Sequence, residues 1–88
     1  MSQYVEARYA LLTLHAAREA SPEQAQTLLS NLLTDLGSRQ QDRADHRASV
    51  IAAIRHLVLI LQEHRTPPVF YWETAARAAH LWCEEAAE

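Results

Sequence analysis

Five histidines, one cysteine and eight arginines are the residues of this 88-residue chain with the most chemistry to offer. A metal site or a proton relay would want two of the histidines three or four residues apart on one helix. His15, His46, His56, His64 and His80 nowhere meet that spacing. Asp42 and His46 do stand at i, i+4, with Asp45 nearby, but that spacing is equally that of a solvated helix face, and no metal is expected. His15, His56 and His80 fall at the edges of apolar stripes, where an imidazole packs and hydrogen-bonds a neighbour, leaving room for a pH-dependent interface. Cys83 lies between Trp82 and the glutamates Glu84 and Glu85, an acidic setting that raises a thiol pKa instead of activating the sulfur. Ser30 and Ser49 occupy ordinary helical positions, and the single glycine, Gly37, leaves no glycine-rich loop to hold a phosphate. No catalytic residue and no cofactor site is therefore expected.

The basic residues are all arginine, and three of them, Arg39, Arg43 and Arg47, recur every four residues. Such a row on an exposed helix can meet an acidic protein surface or follow phosphates. The net charge of −3 weighs against phosphates as the main partner. So do Asp42 and Asp45, which interrupt the row, and Ser38 and Arg39, which stand where a helix-turn-helix would place an apolar residue. Arg39 with Asp42 makes an i, i+3 pair. The row is expected to be a polar surface for an acidic protein partner, with nucleic acid as the alternative.

A third kind of chemistry is apolar association. Val69, Phe70, Tyr71 and Trp72 open the last segment, Ala75, Ala76, Ala78 and Ala79 follow, and Trp82 comes near its end. Tryptophan and tyrosine are favoured at interface centres, and small residues let another helix approach closely. These residues either complete a core over Leu57 and Leu61 or form a partner surface. The expected self-association surface is Phe70, Tyr71, Trp72, Ala75, Ala79 and Trp82, extended by Tyr4 and Tyr9.

The elements that must position these groups are helices. Pro22, Gly37 and the pair Pro67-Pro68 are the only strong breakers, and the stretches between them are rich in Ala, Leu, Arg, Glu and Gln, which enter helices at least cost. The spacing predicts a first helix from about Gln3 to Glu19, with Tyr4, Val5, Leu11, Leu12 and His15 on one apolar face and Tyr9 and Leu14 broadening it. Ser21, Pro22 and Gln24 read as cap, first position and capping box of a second helix, whose stripe is Ala25, Leu28, Leu29, Leu32, Leu33 and Leu36. Gly37 is expected to close it in the left-handed conformation. Ser38 and Gln41 allow a third helix reaching Arg65, apolar on nearly every side from Val50 to Leu61 but polar from Arg39 to Ser49, a half that either protrudes or is partly loop. Thr66, Pro67 and Pro68 end it, and the aromatic helix follows.

The expectation is a single all-α domain over residues 1–88, a small four-helix bundle with a long third helix whose polar N-terminal half protrudes. A domain of this size buries only about 60% of its unfolded surface, and with one cysteine it has no disulfide to help it. Self-association, most simply as a homodimer, is the favoured remedy. The lone thiol suits a reducing compartment, no charged start with an apolar stretch and cleavage site is seen, and the longest apolar run, Leu57 to Leu61, is too short to cross a bilayer; a cytoplasmic protein is expected. The chain reads as a non-catalytic protein–protein interaction module, by general type a small accessory or regulatory protein of the bacterial or phage kind.

Overall fold

The computed structural model describes residues 3–37 and 45–87. They form four helices, α1 (Gln3–Glu19), α2 (Pro22–Gly37), α3 (Asp45–Gln62) and α4 (Val69–Ala87), with no strand among the described residues. The α1–α2 junction follows from three residues. The Ala20 N–H still donates to the Ala17 carbonyl (3.2 Å), Ser21 Oγ then accepts the Gln24 N–H (3.3 Å), and Pro22, lacking an N–H, takes the first helical position. A connection this short makes α1 and α2 antiparallel neighbours.

The C-terminus of α3 is closed by a different device. His64 adopts φ 58°, the His64 N–H donates to the Leu61 carbonyl (3.0 Å), and the Arg65 N–H donates to the Ile60 carbonyl (3.2 Å). That pair of bonds around a left-handed residue is a Schellman motif, built here on a histidine where glycine is usual. It stops α3 at Gln62, three residues short of the expected Arg65, and the prolines then deliver the chain to α4. Gly37 corrects a second expectation. It is the last residue of α2, it has no positive φ, and a Cβ added to it would meet nothing within 4 Å. The left-handed position belongs to the residue beyond a helix end, and α2 runs through Gly37. The expected start of the third helix at Ser38 lies outside the described residues.

The helices pack in a ring, α1 on α2, α2 on α3, α3 on α4, and α4 back on α1. The radius of gyration is 12.1 Å, matching the roughly 12 Å of a closed domain of this length. Trp82 is fully buried at the centre among Leu29, Leu32, Leu36, Val50, Ile54 and Leu57. Around it the walls are thin: α1 contributes Ala7, Ala10 and Ala17, and α4 contributes Ala75 and Ala79, all essentially inaccessible. Small side chains allow α1 and α4 to close on each other while one large indole fills the remaining volume.

This arrangement splits the expected apolar face of α1. Leu11 and Leu14 are buried, but Val5 and Leu12 are about half exposed and His15 is exposed, while the inward face is completed by the alanines with Glu6 and Thr13. The close approach to α4 admits alanine and excludes the larger residues, which turn outward. On α2, Leu28 likewise lies outside the core that Ala25, Leu29, Leu32 and Leu36 enter.

Candidate functional site

On α1 the outward face carries Val5, Tyr9 and Leu12, 49%, 48% and 57% exposed, followed by the exposed Ala16. The spacings of four, three and four residues hold all four on one side of the helix, opposite the buried Ala7, Ala10 and Leu14. The Tyr9 hydroxyl donates to Asp35 Oδ2 at 3.5 Å, a long bond that leans the ring toward α2. Because α1 and α2 run antiparallel, a register that sets Tyr9 opposite Asp35 brings Leu28, 36% exposed, to the level of Ala16. The apolar row of α1 thus widens at one end onto α2. The spacing places Val5, Tyr9 and Leu12 on the wide apolar surface expected of α1, but it does not decide whether that side or the alanine side turns inward.

A second exposed apolar group marks the α3–α4 turn. Leu59, Val69 and Phe70 are 57%, 56% and 67% exposed. The Phe70 and Tyr71 rings meet edge-on with centroids 5.6 Å apart. A shallow hollow of about 230 Å³ there is lined by His56, Leu59, Ile60, Arg65 and Tyr71. Arg65 is held by Glu63 at 3.2 Å on the surface. A broader open hollow of about 530 Å³ runs along Glu23, Gln24, Thr27 and Leu28 of α2.

The structure divides the expected aromatic surface. Phe70 is exposed and Tyr71 half-buried, but Trp72, Ala75, Ala79 and Trp82 are interior in a single chain and offer no surface to a partner. The small-residue face of α4 does admit a helix closely, and that helix is α1. Trp82 Nε1 is buried without a hydrogen-bond partner among the described residues, so the indole acts here by volume alone. Tyr4 is 38% exposed.

The expected arginine row also changes character. Arg39 and Arg43 lie outside the described residues, as does Asp42. Arg47 is 6% exposed, and its Nη2 donates to the carbonyl of Leu36. It satisfies the C-terminal end of α2 from the start of α3, where a helix leaves carbonyls open and favours a cation. Arg47 is therefore a structural cap and no part of an exposed polar surface. His46, the other half of the expected Asp42 pair, faces Glu85 of α4 with Nε2 at 3.3 Å from a carboxylate oxygen.

Burial pushes the Cys83 thiol above its usual pKa, with Arg8 opposing and Glu84 adding to the rise. The direction is the one its acidic neighbours suggested, although burial is the larger cause, and it disfavours the thiolate. Among the described residues no group of three or more histidine, cysteine or acidic side chains is gathered to hold a metal. No helix among them is long and apolar enough to cross a membrane. Comparison with family models, with curated proteins and with solved structures gives no match.

Proposed function

We propose that the protein is a non-catalytic helical interaction module that works as a homodimer in an accessory or regulatory role, with the outward face of α1 as its contact surface. The observation that carries this reading is the row Val5, Tyr9 and Leu12, half exposed on a bundle whose interior is already filled by Trp82 and its neighbours. Alternating spacings of four and three are those of a seam between two helices. An antiparallel pairing of α1 with a second copy sets Val5 against the partner's Ala16 and Tyr9 against the partner's Leu12, a larger residue opposite a smaller one at the ends of the seam. Leu28 then gains cover from the copy's Val5. A chain of 88 residues has a small core of its own, and burying this row supplements it. A single cysteine, with no second to pair with, suits a reducing compartment such as the cytoplasm.

The test is mass in solution by light scattering across a dilution series, for the native chain and for Leu12→Asp. The expected result is a native dimer and a folded monomeric variant with unchanged helicity. Because Leu12 points away from the core, the fold should lose less than about 0.5 kcal/mol. A native chain that is monomeric at every concentration would exclude the homodimer. A native dimer that survives Leu12→Asp would move the interface elsewhere, with Leu59 and Phe70 as the next surface to alter.

A further inference from the structure

The fold brings together two histidines that the sequence keeps far apart. His15 of α1 and His80 of α4 place their rings 6.5 Å apart between centroids, with planes inclined at 68°. Both side chains are exposed. Among the described residues neither ring is engaged by a hydrogen bond or an ion pair, whereas His46 is committed to Glu85. We infer that His15 and His80 form a two-imidazole site for a divalent transition-metal ion of the class that imidazole prefers, Zn²⁺, Ni²⁺ or Cu²⁺.

The separation of the two rings is near what a shared ion requires. A zinc–nitrogen distance of about 2.0–2.1 Å sets two imidazoles on one tetrahedral ion with centroids roughly 5 Å apart. The observed centroids stand little more than an ångström beyond that separation, and both residues are exposed, where side-chain torsions turn most freely. From the edge-on arrangement, at least one ring must also turn about its side-chain torsions for a nitrogen of each to meet at a shared point. With two protein donors, the other coordination positions fall to water, so the site is open and its affinity comes from holding both imidazoles at once. Its structural consequence is a clamp between the first and last helices, the pair that closes the ring. An ion that binds only the folded chain stabilises it by mass action.

The experiment is thermal unfolding with Zn²⁺ in excess and then with EDTA, on the native chain, His15→Ala, His80→Ala and His56→Ala. His56 is exposed on α3 and serves as the control. Zn²⁺ should raise the midpoint of the native chain and of His56→Ala by about 4–8 °C, EDTA should reverse it, and both effects should vanish in His15→Ala and in His80→Ala. Titration against a chromophoric chelator should give one ion per chain, bound at least about tenfold more weakly when either histidine is removed. Equal responses in the native chain and in His15→Ala, or no response in the native chain, would overturn the site. Circular dichroism of the variants before metal is added shows that they are folded.

Discussion

Helices α1 and α4 are built from similar residues and used in opposite ways. Each mixes aromatics with alanines, and each presents an alanine face to the other. In α4 the largest residues, Trp72 and Trp82, lie on the inward side, and Phe70 is turned outward. In α1 the inward side is filled by alanine with Leu11 and Leu14, and Tyr9 and Leu12 are turned out. The difference shows how a narrow bundle distributes volume: two indoles from one helix occupy the interior, so the facing helix must be thin. Whatever is bulky on α1 then becomes surface. An apolar row that looks misplaced is, on this view, the counterpart of the tryptophans across the ring.

The comparison breaks most severely at Trp82. Trp82→Ala should cost about 3–5 kcal/mol and leave the chain largely unfolded or molten, seen as lost cooperativity in thermal denaturation. Phe70→Ala, equally aromatic in sequence, should cost no more than about 1.5 kcal/mol, the worth of its edge-on contact with Tyr71. Equal losses would mean that Phe70 is held in a contact of its own. A smaller effect separates the two faces of α1. Ala10→Leu adds volume where α1 is buried and should cost about 1–3 kcal/mol by overpacking, whereas Ala16→Leu on the outward row should be nearly neutral. Denaturant midpoints at unchanged slope would measure both. The smallest effect concerns the turn that hands the chain to α4. His64→Gly removes the cost of a left-handed side-chain-bearing residue and should gain about 0.5–1 kcal/mol, the looser unfolded chain offsetting part of the relief.

Much of the scaffold was legible beforehand because its signals are local. Ser21 and Pro22 begin a helix whatever surrounds them, and Pro67-Pro68 prevent one from continuing. The surface was less legible. Arg47 belongs to a row by spacing, yet the open carbonyl it caps, that of Leu36, is on another helix. His15 and His80 share nothing that a motif could register until α1 and α4 close together. Gly37 is not left-handed, whereas His64 is, closing α3 where the bonds to Ile60 and Leu61 stabilise a conformation that histidine adopts only at some cost.

The sequence alone determined that the chain is four helices, where α1, α2 and α4 begin, and that the apolar stretch from Val50 to Leu61 would be central. Breakers, caps and periodicity act over a few residues and need no partner. Only the tertiary structure decided which side of α1 faces inward, that the tryptophans are core, that Arg47 is a cap and that two histidines meet. Periodicity states which residues share a face, but the face that is buried is chosen by how closely two helices can approach, and that depends on the side chains of both.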